Sequence, residues 1–287
     1  MPIQRSSSFL PFLAAGSAAM LVALLLAALS LVVATPATGS PSSSQQGWCA
    51  EAQMDRDDHC ELRALSTSAG SGPFSVSGMA NGSISVEGWD GREVRVTARI
   101  IARNAGSARA AAGLAESVEL RTGSGQLQVA GPRSGIFRRA SWSVDLRIQV
   151  PEGIDLDLST TNGAVRVTGV GGAVSARTTN GALSLEGARG SVTARTTNGS
   201  VTVALSGGGS GNQIVDLRST NGSIDLRIPA SFGSRVEART SNGRIASDFP
   251  LEMEGRRQNQ ASGTLGDGSG TITLRTTNGT IRLQRGS

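Results

Sequence analysis

"ARTTNG" stands at residues 176–181 and again at 194–199, eighteen residues on. The pair Asn-Gly recurs as Asn162-Gly163, Asn180-Gly181, Asn198-Gly199, Asn221-Gly222, Asn242-Gly243 and Asn278-Gly279, with an outlying copy at Asn81-Gly82. Successive spacings in the main series are 18, 18, 23, 21 and 36, the last being twice the first. A near-constant period of this size marks a solenoid or array, in which each unit buries its apolar side against the next.

Fixed offsets from each asparagine show what the unit is. Three residues after it stand Val165, Leu183, Val201, Ile224, Ile245 and Ile281, and five after it Val167, Leu185, Val203, Leu226, Ser247 and Leu283. Six before it stand Leu156, Val174, Val192, Val215, Val236 and Ile272, and four before it Leu158, Ala176, Ala194, Leu217, Ala238 and Leu274. Only Ser247 interrupts the apolar columns. Apolar residues at every second position mean strands with one buried face. Asn and Gly reach positive φ at low cost, so Thr-Thr-Asn-Gly reads as a sharp bend between two strands. Asn-Gly between alternating runs is also a hairpin signal, which keeps an antiparallel β-meander or sandwich as the alternative. The return of the same residue types at the same place in every unit favours stacking. The expected fold is therefore all-β, a parallel β-solenoid with coils of about 18 residues. Asn162, Asn180 and Asn198 would then stand about 4.8 Å apart and hydrogen-bond along the stack.

Composition fits a narrow coil interior. Of 287 residues 38 are glycine, 3% are aromatic and none is tyrosine. Every basic residue is arginine, and the formal net charge is +5. All positive groups are thus planar forks suited to phosphate or carboxylate.

The N-terminus is read apart from the fold. Arg5 precedes an apolar stretch from Phe9 to Ala34, which reads as an export signal over 1–34 with small residues placed for cleavage. The stretch is also long enough to span a bilayer, so an uncleaved membrane anchor is the alternative. A Ser/Pro-rich linker follows over 35–48. On either reading the remainder is expected outside the cytoplasm: periplasmic, at the cell surface or secreted. Cys49 and Cys60 are the only cysteines, and in an exported chain they point to one disulfide. A metal reading would add Asp55, Asp57, Asp58 and His59 but lacks a second cysteine pair, so no metal and no cofactor is expected.

Residues 49–150 read as a less regular β region, continuous with the Asn-Gly repeats of 151–287. It includes the alternating runs Ile84/Val86 and Val94/Val96/Ala98, and one short helix in the alanine-rich segment 107–118. The insert "SGGGSGN" at 206–212 lengthens one spacing, and 250–270 is a degenerate coil or a loop.

The "TTNG" motif followed by alternating hydrophobics, "HCELR", "NGSISVEGWD" and the late "TLGDGSGTITLRTTNG" together resemble a bacterial family of β-strand-repeat proteins. That family is labelled "putative adhesin", a domain of unknown function, and is similar to the head-domain autotransporter adhesins. The resemblance runs over about 49–283. It implies a right-handed β-helical or β-roll-like fold at the cell surface or in the periplasm, and no particular ligand or catalytic residue. Members often carry histidine where this chain has the second threonine of TTNG, so no role passes to that position.

Three residues before the asparagines stand Arg177, Arg195, Arg218, Arg239 and Arg275, with Ser159 beginning the column. Their parity points them outward. A solenoid would line them up as a docking ladder for a polyanion, such as an acidic polysaccharide or envelope lipid phosphates. The competing reading is a solvated face whose arginines pair with Asp216 and Glu237. Nucleic acid is not an expected partner, because the repeats lack stacking aromatics. Ice binding would need Thr-x-Thr rows, whereas these threonines are adjacent and flank a turn. A polysaccharide-degrading enzyme would need paired carboxylates, for which Asp155 with Asp157 and Asp216 with Asp225 are the candidates. No catalytic residue is assigned. The chain reads as a non-catalytic adhesin or binding module, with a structural envelope scaffold as the alternative. Solenoid ends are open strand edges. The last strand "LQRGS" is expected to leave one end thinly protected, which opens a route to end-to-end self-association.

Overall fold

The computed structural model describes residues 43–123, 125–132, 140–207, 212–255 and 258–286. The apolar segment 1–34, residues 35–42 of the linker and residues 208–211 of the glycine-rich insert lie outside the described residues. No helix among the described residues is long and apolar enough to cross a membrane.

Two large, mostly parallel sheets make up most of the described residues. The ten-stranded sheet reads, in spatial order, His59–Ser68, Glu93–Arg103, Ser141–Pro151, Ile84–Trp89, Val165–Thr168, Leu183–Ala188, Val201–Leu205, Ile224–Pro229, Ile281–Gly286 and Ile245–Ser247. The eleven-stranded sheet reads Glu119–Gly123, Gln126–Ala130, Phe74–Asn81, Leu156–Asn162, Val174–Asn180, Val192–Asn198, Ile214–Asn221, Gly270–Asn278, Ser234–Asn242, Gln260–Leu265 and Glu252–Glu254.

Each Asn-Gly corner carries the chain from the eleven-stranded sheet into the ten-stranded one, and corners of neighbouring units pair in register, Asn162 with Asn180 and Asn180 with Asn198. The apolar columns line the inside, from Leu156 and Leu158 to Ile281 and Leu283, all buried in one core shared by both sheets. Among the described residues antiparallel pairing is confined to the two ends of the stack, so the meander alternative fails for the repeats. Asn81-Gly82 is no outlier: Asn81 pairs with Asn162 and Ile84 with Val165, making it the first corner of the series.

Stack order departs from sequence order at the far end. The strand Gly270–Asn278 lies between Ile214–Asn221 and Ser234–Asn242, and Ile281–Gly286 likewise separates Ile224–Pro229 from Ile245–Ser247. The C-terminal coil is therefore interior, and the expectation that "LQRGS" forms the exposed edge is corrected. Residues 250–270, expected as a degenerate coil or a loop, instead supply two antiparallel strands that extend the eleven-stranded sheet past Ser234–Asn242. At Ser247, where the apolar column breaks, the hydroxyl bonds both the N–H and the carbonyl of Phe249, turning that buried ring over the end of the core.

The reason for glycine at the corners also needs correcting. None of the six main-series asparagines or corner glycines adopts positive φ; only Gly82, at 126°, does. What the corner requires is space. A Cβ on Gly163, Gly181, Gly199, Gly222, Gly279 or Gly243 would lie 1.9–2.1 Å from the carbonyl oxygen of the glycine one coil below.

Three polar ladders run through the corners. Asparagine Nδ2 donates to the Oδ1 of the preceding asparagine, from Asn162→Asn81 through Asn180, Asn198, Asn221 and Asn278 to Asn242→Asn278, at 2.7–2.9 Å. The glycine N–H donates the other way, to the asparagine carbonyl of the next coil, as Gly181 does to Asn198 at 2.9 Å. The first hydroxyl of TTNG points inward, is buried, and donates to the glycine carbonyl of the coil below: Thr178→Gly163 and Thr196→Gly181 at 3.0 Å, Ser219→Gly199 at 2.9 Å. It satisfies a carbonyl that the turn would otherwise orphan. Thr178→Val keeps the volume and removes the donor, with an expected loss of about 1–3 kcal/mol, visible as a lower denaturation midpoint at unchanged slope.

At the N-terminal end, the expected helix forms over Ala108–Glu116, capped by Ser107, whose hydroxyl accepts from Ala110 N–H at 3.2 Å. Arg63 donates to the Ala115 and Val118 carbonyls at its other end. A second short helix, Ser43–Ala50, was not expected in the linker. The Cys49–Cys60 disulfide ties it to the edge strand, with Cα atoms 5.9 Å apart. Trp48 is buried against the guanidinium groups of Arg99 and Arg147.

Candidate functional site

Alternation that sends aliphatic side chains inward sends every other residue of the eleven-stranded sheet to its outer face. Three rows result, running across the strands. One holds Asp157, Ser175, Thr193, Asp216, Thr273 and Glu237. The next holds Ser159, Arg177, Arg195, Arg218, Arg275 and Arg239. Register is kept through the rearranged order, because Arg218 pairs with Arg275 and Arg275 with Arg239. The third row is the exposed second hydroxyl of the corner motif, including Thr179, Thr220, Thr277 and Ser241.

Five arginines in a row repel one another, and the carboxylate row relieves part of that. Asp216 sits between Arg195 and Arg218 and accepts from both, at 2.7 and 2.8 Å. Burial raises the Asp216 pKa, but the hydrogen bonds from Arg218 and Arg195 outweigh it and hold the carboxyl below its ordinary value. Glu237 reaches Arg275 at only 3.8 Å, and both are well exposed, so that pair contributes little. Arg177 and Arg239 have no ion pair among the described residues. Arg195 Nε is shielded from solvent without a hydrogen-bond partner.

Of the grooves on this face, one of about 490 Å³ sets Glu237 and Glu254 beside Arg239 and Arg275, and two more hold arginine without a carboxylate. Of these two, one of about 310 Å³ is lined by Arg218, Arg275 and Arg239 together with hydroxyls such as Thr220, Thr277 and Ser241. The other, about 400 Å³, lies beside Arg177, Ser159 and Thr161, where Gly78 at φ 79° bulges the first strand. Both are shallow and hydroxyl-rich around cationic forks, an arrangement suited to holding anionic oxygens rather than to excluding water for chemistry.

Of the carboxylate pairs weighed for hydrolysis, Asp155 and Asp157 line one open groove of about 290 Å³, whereas the other pair does not assemble. Asp216 and Asp225 lie in different sheets, Asp225 bonded to Arg282 at 3.1 Å on the ten-stranded one. Asp155 accepts from the Ala173 N–H at 2.7 Å, a structural role. His59 begins an edge strand beside the disulfide. No cluster of three or more metal-ligating side chains occurs among the described residues. The sequence singled out the arginine row; the exposed third row and the inward first hydroxyl were not separated, although their positions one and two residues before the asparagine, respectively, give them opposite parity.

A stack of corner-linked strand pairs, closed by antiparallel ends and laddered by amides and hydroxyls, defines a β-strand-repeat protein with its chemistry on flat sheet faces. The chain belongs to the Toastrack family, DUF4097, whose profile matches residues 50–284 and so takes in both ends of the stack as well as the coils. Among solved structures it is similar to a "putative cell adhesion protein" from Clostridium sporogenes, at 12% identity and TM-score 0.48 over 79% of this chain and 100% of that one. A "putative adhesin" from Bacteroides fragilis matches at 12% identity and TM-score 0.37, over 78% and 97%. A "putative lipid binding protein" from Parabacteroides distasonis matches at 10% identity and TM-score 0.25, over 79% and 97%. No curated protein sequence matches.

Proposed function

We propose that the protein is an exported, non-catalytic envelope module whose eleven-stranded sheet offers its outer face to an acidic polysaccharide or a comparable polyanion. One observation carries the reading: five arginines occupy five adjacent parallel strands in register, and Arg275 keeps its place between Arg218 and Arg239 although it comes from the end of the chain. Strand spacing sets these charges about 4.8 Å apart, close enough for a flexible polymer to meet several at once. Guanidinium forks bind carboxylate or sulfate bidentately, and the flanking hydroxyls supply neutral donors. The apolar leader and the single disulfide support export. The coils are wound right-handed, the hand that strand twist favours for parallel crossovers.

The scaffold reading draws on Asp216, which already occupies Arg195 and Arg218. Asp216→Asn separates the two. If the face binds polyanions, the variant frees both arginines and binds an acidic glycan several-fold more tightly in moderate salt, while Arg177→Ala with Arg239→Ala weakens binding by roughly tenfold. Unchanged binding in both variants, or no binding by the parent protein, leaves the scaffold.

A further inference from the structure

We infer that Asn242-Gly243 is a site of spontaneous covalent modification, conversion to aspartate and isoaspartate, from which the other six Asn-Gly corners are protected. The chemistry belongs to the dipeptide. The glycine amide nitrogen attacks the asparagine Cγ, forming a C–N bond; the Cγ–Nδ2 bond breaks, and ammonia leaves with the proton given up by the amide. Water then opens the resulting succinimide at either carbonyl, with no change of oxidation state. The net reaction consumes one water and releases one ammonia.

Attack requires a glycine nitrogen that is free to lose its proton and approach Cγ. In the stack that N–H is occupied. Gly82 donates to the Asn162 carbonyl, Gly163 to Asn180, Gly181 to Asn198, Gly199 to Asn221, Gly222 to Asn278 and Gly279 to Asn242, at 2.9–3.2 Å. Every one of these bonds points the same way along the stack. The final corner consequently has no coil to donate to, and the Gly243 N–H has no hydrogen-bond partner among the described residues. Among the described residues the Asn242 side chain is held on one side only, through Nδ2 to Asn278 at 2.8 Å, and its Oδ1 accepts no hydrogen bond. Both residues are exposed. The opposite end differs: Asn81 also lacks one amide neighbour, yet its glycine nitrogen is tied to Asn162 at 2.9 Å. Either product places a carboxylate at the open end of the amide ladder, three residues from Arg239.

Ageing the full chain in mildly alkaline buffer, followed by proteolysis and mass-spectrometric mapping of acid and isoacid at each corner, tests this. The same chain in denaturant gives the reference rates. Asn242 is expected to convert more than about tenfold faster than Asn162, Asn180, Asn198, Asn221 or Asn278, whose reaction waits on local opening of hydrogen-bonded coils. Asn81 should behave like the interior corners. The inference is overturned if interior corners convert as fast as Asn242, if Asn81 converts equally fast through simple end fraying, or if Asn242 persists while the denatured chain reacts.

Discussion

Gly181→Ala is expected to break the stack rather than loosen it. The added methyl would lie 2.0 Å from the Gly163 carbonyl oxygen, 2.5 Å from its carbon and 3.1 Å from the next backbone nitrogen. All three atoms belong to the coil below, whose position is fixed by the Gly163→Asn180 bond and by Thr178, so no flexible side chain can give way. Relief needs two coils to separate, at a cost of about 3 kcal/mol or more, a large part of the 5–15 kcal/mol that typically holds a domain. Gly153→Ala, a glycine with open space at Cβ and no positive φ, is the matched control and should be close to neutral. Thermal melts of the two variants check it, and similar midpoints would show that the corners yield more easily than the geometry requires.

Removing residues 270–287 should unfold far more than the segment deleted. That coil contributes Ile272, Leu274, Ile281 and Leu283, each essentially fully buried. Four such side chains carry about 1.5–3 kcal/mol apiece, before counting the ladders to Asn221 and Asn242. With the coil gone, 214–229 and 234–247 both lose a parallel partner and face each other across the gap it leaves. Residues 234–265 are then expected to lose amide protection and become protease-sensitive, while 156–205 stays protected and protease-resistant. Had stack order followed sequence order, the truncation would only have shortened one end. Persistent protection of 234–265 would therefore contradict the interior placement.

The coil itself was legible because its information is periodic. Parity placed Leu185 and Val203 inside and Arg195 outside, and repetition of Asn at one position anticipated the amide ladder. The cause of the glycine was misassigned, since composition cannot distinguish a residue chosen for its φ from one chosen because a neighbouring backbone passes close by. Stack order was hidden for a related reason. Each unit carries the same apolar and polar columns, so nothing local in "LRTTNG" says whether it packs beside 214–229 or beyond 234–247. The candidate face was half visible: the arginine row follows from spacing, but the sharing of Asp216 between Arg195 and Arg218 depends on two coils meeting at one carboxylate. The role of 250–270 rests on antiparallel pairing with 234–242, a contact with no periodic trace.

Because each coil meets its neighbours through the same columns, the molecule is modular in length. A further unit placed between Val174–Asn180 and Val192–Asn198 would meet the same register on both sides and lengthen the body by one strand spacing, about 4.8 Å, without disturbing either terminus. Tandem duplication of such units gives a lineage a simple means of tuning the length of both sheets, with the closing pieces inherited unchanged.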